Sequence, residues 1–237
     1  MPATTAPEQK GTDIQRTPAQ SSEIRQRFLA VDTANVADVL DDMGHGNYGL
    51  SPRLTLHTGS RLAGWAYTIQ GEMAPYPGTG DALKMQACNG ISPDEVSVWS
   101  GGGEGVCYFG ELIALGMMQR GSAGALVDGG IRDVRWLRQL DFPVVAAFRS
   151  AIQSIGRWRV TGFQAPVYLP GATTARVVVY PGDFILADED GAIVIPNSIV
   201  EDVLAKAEEM TAREVAIREA IGNGLSLADA LKQFGHV

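Results

Sequence analysis

Apolar residues recur along the chain at two spacings. Val36, Val39, Leu40 and Met43 fall at i, i+3, i+4 and i+7, which predicts a helix stopped by Gly44. It is the second of two helical pieces within 22–44, joined at 31–35, with Asp32 or Thr33 as N-cap. Leu112, Leu115 and Met118 predict a helix opened by Glu111 and stopped near Gly121. Val203, Leu204, Ala207, Met210 and Ile217 predict a longer one to about Ile221, with Ser198 to Glu201 as its capping box. Leu225 to Phe234 is a short amphipathic segment.

Shorter apolar runs predict strands. Leu54 to Gln70 alternates loosely, as a strand pair bent around Gly64. Val96–Trp99, Ala125–Val127 and Phe142–Phe148 are candidate strands, and Val167 to Pro196 reads as strand, turn, strand. The punctuation is glycine and proline. Glu72 to Gly80 is a Pro/Gly loop, after which Asp81 heads a helix. Asp128-Gly129-Gly130 is expected to turn sharply, and the acidic triplet before Gly191 to form a hairpin turn. That triplet lacks the spacing and distal glutamate of a calcium loop.

Residues 1–21 carry Pro, Thr, Gln and Ala with few large apolar side chains, so a mobile arm, or one docked on a neighbouring subunit, is expected there. Residues 22–237 are then read as a single domain. A formal net charge of −8, with no Lys/Arg run, argues against nucleic acid as a partner. No apolar run approaches the ~20 residues that span a bilayer, and the first residues lack the apolar core of a secretory signal. Cys88 and Cys107 have no metal-ligand spacing, which fits reduced thiols in a cytoplasmic protein.

Candidate chemistry gathers between Gly110 and Gln139. Backbone N–H groups of Glu111, Leu112 and Ile113 at a helix start suit a carboxylate or phosphate. Arg132 supplies a planar cationic fork, and Asp133 a hard oxygen ligand for Mg²⁺ or Mn²⁺. By residue type alone, Asp133 as a helix cap and Arg132 in a surface ion pair is the favoured reading. His57 reads as an ordinary surface or half-buried histidine and Asp41-Asp42 as a solvated helix end, while His45, on a loop, is a site-rim candidate for which an ordinary loop histidine is the favoured reading. The glycines after Ser100 lack both the Gly-Lys-Ser/Thr and the G-x-G-x-x-G patterns, so they are read as a turn bordering the site. Arg149 or Arg157 could bind a second substrate carboxylate, with rim ion pairs as the competing reading.

Glu111, twenty intervening residues and then Arg132-Asp133 resemble the signature of the RraA-like family, which includes metal-dependent pyruvate aldolases. The T-A-N-V-A-D-V-L-D-D-M-G helix, the R-L-A-G-W-A-Y-T-I strand and the P-G-D…D-G segment resemble it too. Those aldolases usually carry Asp at the first position, so Glu111 is a departure. The resemblance implies an α/β fold of the swivelling β/β/α type, with a mixed sheet core and outer helices. It implies a homotrimer or hexamer with sites at subunit interfaces. The implied reaction is retro-aldol cleavage of a 4-hydroxy-2-oxo acid to pyruvate, with oxaloacetate decarboxylation as a related activity. Gly110, Glu111, Leu112, Ile113 and Arg132 would bind the 2-oxo acid, and Asp133 would hold Mg²⁺ or Mn²⁺. Arg132 would stabilise the enolate, and Glu111 would orient a water for proton transfer. Glu214 of a neighbouring subunit, or failing it Glu219, would complete the site. No lysine of the central stretch is placed to form a Schiff base. Two alternatives stay open: a non-catalytic regulator that binds ribonuclease E, and a lyase or hydratase acting on another acid or sugar. Loops 45–50, 71–80 and 149–158 would set specificity.

Overall fold

Seen in a computed structural model that describes residues 16–78 and 80–235, the chain builds one large mixed sheet with helices outside it. The strands are β1 Thr55–Thr58, β2 Leu62–Met73, β3 Glu95–Ser100, β4 Cys107–Phe109, β5 Gly124–Ile131 and β6 Val144–Arg149, followed by β7 Trp158–Phe163, β8 Val167–Pro170, β9 Arg176–Val179, β10 Phe184–Ala187 and β11 Ala192–Ile195. Their order is β1-β6-β5-β3-β2-β10-β11, with β4 on β5 and β7 on β2. The centre, β2-β3-β5-β6, is parallel, and its flanks are antiparallel. β8 and β9 form a separate two-stranded sheet. This is the expected α/β class.

The helices are α1 Pro18–Phe28, α2 Thr33–Asp42, α3 Ala82–Asn89, α4 Glu111–Met118, α5 Val134–Gln139, α6 Val200–Gly222 and α7 Leu227–Phe234. Phe28, Val36, Leu40, Val203 and Leu204 bring α1, α2 and α6 against Phe184 and Ile195. Ala87, Met117 and Leu137 bring α3, α4 and α5 against Trp99 and Val127. A third core lies between the large sheet and β8–β9, around Val98, Leu126, Leu169 and Val179. No helix among the described residues is long and apolar enough to cross a membrane.

Several expectations give way to tertiary structure. Gly64 sits inside β2, where a Cβ would lie 2.4 Å from the Asp94 carbonyl oxygen; the chain turns instead at Gly59, whose φ is +74°. Asp128-Gly129-Gly130 does not turn but continues β5. A Cβ on Gly129 would meet the Tyr108 hydroxyl at 2.4 Å and its ring at 2.5 Å, and one on Gly130 the Val106 carbonyl at 2.4 Å, so these glycines serve close approach. The Ser198 capping box is absent: Asn197–Ile199 winds as a 3₁₀ turn, anchored by Asn197 N–H on the Asp183 carboxylate, and no side chain caps α6. Asp32 caps α2 in backbone position only, since its carboxylate pairs with Arg61. Asp188 instead accepts from Thr33 N–H and Oγ1. Of the expected arm, residues 1–15 lie outside the described residues, but Pro18 to Ser21 are already helical, behind a Thr17–Gln20 capping box.

Candidate active site

β4 and β5 run parallel, with Phe109 opposite Ile131 and Arg132 N–H on the Phe109 carbonyl. Both strands therefore end at one edge, and the start of α4 meets Arg132 and Asp133 there. The approach is close: a Cβ on Gly110 would lie 2.7 Å from Asp133 Oδ2 and 3.2 Å from Arg132 Cγ, so any larger residue would push these side chains from their present places. Asp133 itself is left-handed (φ 59°, ψ 28°), a conformation that Asp and Asn tolerate better than most residues. Its backbone carbonyl opens α5 by accepting from Trp136 and Leu137, so its side chain is not needed as a cap.

The carboxylate of Asp133 is held loosely. Oδ2 accepts from Glu111 N–H at 3.4 Å and lies 3.4 Å from Arg132 Nε, both long for charge-assisted bonds. The two side chains are 46% and 37% exposed, and they line a cavity of about 380 Å³. Gly110, Leu112 and Ile113 form one wall, Gln153, Ser154 and Ile155 another, and Tyr76 and Met85 also border it.

Lys84, from α3, was not singled out in the sequence. It occupies the wall beside Cys107, Tyr108 and Phe109, and donates to the Tyr108 carbonyl. Its ammonium nitrogen stands 5.6 Å and 5.8 Å from the Trp99 and Trp158 ring centroids. Burial lowers its pKa, opposed by nearby Cys88 and Asp81. The signal was available: Lys84, Ala87 and Cys88 follow i, i+3, i+4 on the buried face of a helix headed by Asp81, and a charge on such a stripe calls for a reason. Asp81 also borders the cavity, but both its oxygens accept backbone N–H groups, from Lys84 at 3.0 Å and Val160 at 2.7 Å.

Other candidates lie elsewhere. Glu111 contributes its amide, and its side chain is not among the lining groups. Neither Arg149 nor Arg157 lines the cavity: Arg149 donates to His57 Nδ1, and Arg157 to the Gln153 carbonyl. Burial, with Arg149 adding to it, lowers the pKa of His57. His45 faces Tyr48 rather than the site rim. The glycines after Ser100 do not border the cavity. Gly101 and Gly103 make room for a Tyr108–Trp158 stack with centroids 4.0 Å apart: a Cβ would meet Trp158 Nε1 at 3.1 Å from the first and Tyr108 at 2.4 Å from the second. Glu214 pairs with Arg218 one turn along α6, and neither it nor Glu219 lines the cavity of its own chain.

The donor set limits which metal could bind. Among the described residues, no group of three or more His, Cys, Asp or Glu is placed to hold an ion. Burial pushes the Cys88 thiol up to about 11 and raises Cys107, so neither thiolate is favoured near neutral pH. One loosely held carboxylate fits a hard cation such as Mg²⁺ or Mn²⁺, which takes one or two carboxylates and keeps several waters.

A carboxylate, a guanidinium and a helix start thus converge on one cavity of an α/β scaffold, a set of groups with the chemistry to hold an oxyanion. A family model described as "RraA-like: Aldolase/RraA" matches residues 33–194, and the chain belongs to that family. It is 28% identical over 210 residues to Protein DlpA of Legionella pneumophila subsp. pneumophila; the match covers 88% of this chain but only 33% of that protein's length. It is 29% identical over 201 residues to a Halalkalibacterium halodurans protein described as "Putative 4-hydroxy-4-methyl-2-oxoglutarate aldolase", covering 84% of this chain and 89% of that one. Among solved structures, Streptomyces coelicolor RraAS2, described as an unusual member of the RNase ES inhibitor RraA protein family, superposes with a TM-score of 0.69 at 25% identity. That match covers 83% of this chain and 97% of the other.

Proposed function

We propose that the protein is a divalent-metal-dependent lyase that cleaves a 4-hydroxy-2-oxo acid by a retro-aldol step and releases pyruvate. The observation that carries this reading is the shared cavity of Arg132, Asp133 and the α4 N-terminus. The substrate's 1-carboxylate sits on the free amides of Leu112 and Ile113, where the helix dipole favours negative charge. Arg132 lies beside the keto oxygen. Asp133 would hold Mg²⁺ or Mn²⁺, which when bound supplies Lewis acidity toward that oxygen.

Cleavage breaks the C3–C4 bond as the 4-hydroxyl loses its proton, and the electron pair moves into the C2–C3 enolate. Arg132 meets the charge where it develops, in a half-enclosed site where a fixed cation counts for more than in bulk water. Glu111 acts on the proton through an intervening water, since its carboxylate stands outside the lining. Decarboxylation of oxaloacetate yields the same enolate and is expected alongside. Exposed Leu112 (76%) and Met85 (46%) at the cavity mouth suit a second copy of the chain, in a trimer or hexamer, whose Glu214 would reach the site.

The likeness to RraAS2 favours a second reading, a regulator that binds ribonuclease E. Pyruvate release from oxaloacetate and from 4-hydroxy-4-methyl-2-oxoglutarate separates the two. Turnover with Mg²⁺, lost in EDTA and restored by Mg²⁺ or Mn²⁺, is the expected result. No turnover together with tight ribonuclease binding would replace the enzyme reading with the regulator.

A further inference from the structure

Lys84 is a charged group in the cavity to which the retro-aldol mechanism gives no task. It is only 9% exposed, yet among the described residues no carboxylate lies within ion-pair distance of its ammonium group. One N–H goes to the Tyr108 carbonyl, and two indole faces stand near the nitrogen. Asp81, one turn back, has both oxygens engaged by backbone. A buried ammonium without a counter-ion is unfavourable for folding, and an apolar side chain would pack there more easily. A cation kept under those conditions on a cavity wall is explained by an anion that arrives with the ligand.

The charges agree. Arg132 and Lys84 balance Asp81 and Asp133, so a divalent cation on Asp133 leaves the cavity with two excess positive charges. That matches a dianion better than a monoanion. The cavity, about 380 Å³, also falls within the ~300–1,000 Å³ range of small-molecule sites. Lys84 projects from α3, a different element from the amides of α4. We propose that Lys84 binds the second carboxylate of a 2-oxo diacid, and that it is the residue by which the site prefers dicarboxylic over monocarboxylic 2-oxo acids. This inference rests on the 2-oxo-acid reading of the cavity.

Titration calorimetry of the full chain in Mg²⁺, with pyruvate and with 2-oxoglutarate, tests it without requiring turnover. Wild-type protein is expected to bind 2-oxoglutarate about tenfold or more tighter than pyruvate, the size of one charge-assisted contact. Lys84→Met, which keeps the stem and removes the charge, should erase that margin while leaving pyruvate affinity nearly unchanged. Retained pyruvate binding also shows that the variant is folded. A margin that survives in Lys84→Met overturns the inference. So does an equal loss of both acids, which marks a structural role. Borohydride trapping of pyruvate on Lys84 overturns it too, in favour of a Schiff base. If pyruvate binds wild-type protein with no margin for the diacid, the Lys84 assignment alone falls. If neither acid binds, the 2-oxo-acid reading falls and takes this inference with it.

Discussion

Two regions of the molecule use aspartate in opposite ways. At the β10–β11 end, Asp183 accepts from the N–H groups of Tyr180 and Asn197, and Asp188 accepts from Thr33 N–H, Thr33 Oγ1 and Asp190 N–H. Both residues are buried and tied to backbone. At the β5 end, Asp133 has two long contacts, is over a third exposed and faces a cavity. The first pair joins turns to helices. The second region leaves lone pairs for something else to bind. Fully engaged acids mark architecture, and an acid with spare capacity beside a cation marks chemistry.

The contrast breaks most sharply at Asp133. Asp133→Asn keeps a side chain that tolerates the left-handed backbone, so stability should move by less than about 0.5 kcal/mol. Metal-dependent pyruvate release should fall by about a hundredfold to a thousandfold. A coupled pyruvate assay beside a thermal melt checks both; unchanged turnover would remove Asp133 from the site.

Asp188→Ala should behave in the opposite sense. Losing three accepted bonds and leaving Thr33 N–H unpaired should cost about 2–4 kcal/mol in urea unfolding. The kcat of the remaining folded protein should be unaffected.

Asp183 sharpens the comparison through pH. Burial pushes its pKa up to about 6 from an ordinary 3.8, against the two backbone N–H groups that favour the ionised form. Between those values the folded chain holds a proton that the unfolded chain lacks. Wild-type stability should therefore rise relative to Asp183→Asn as pH falls through 6, by about 2 kcal/mol near pH 4. Unfolding curves of both proteins at pH 7 and pH 4.5 test the sign.

The smallest effect belongs to Glu214→Gln. Its exposed partner Arg218 makes a loss of no more than about 0.5 kcal/mol expected. A fall in kcat with stability unchanged is the result expected if the residue acts at a second copy's site, as proposed.

What was legible in the sequence was local. The apolar row of α2, and the meeting of Glu111 with Arg132-Asp133, follow from spacing and from the resemblance those residues carry; α4 forms where expected, but it buries Ala114 and Met117 rather than the Leu112, Leu115 and Met118 row. What was not legible was set by partners far along the chain. Asp128-Gly129-Gly130 has the composition of a turn, but it is strand because Tyr108 and Val106 need the space where side chains would be. Ser198 has the right offset from Glu201, yet Asp183, fourteen positions before Asn197, claims the entry to α6. Arg149 and Arg157 were open to a second substrate carboxylate or to rim ion pairs, and instead contact His57 and the Gln153 carbonyl. The stripe that Lys84 shares with Ala87 and Cys88 is legible from spacing, but what its ammonium faces is set by Tyr108 and Trp99, which lie further along the chain.

The backbone twist at Asp133 restricts what can stand there over generations. Glutamate would keep the negative charge but resist the left-handed turn, while asparagine and glycine would accept the turn and surrender the charge. Aspartate meets both demands at the least backbone cost, so any replacement at this position trades charge against conformation.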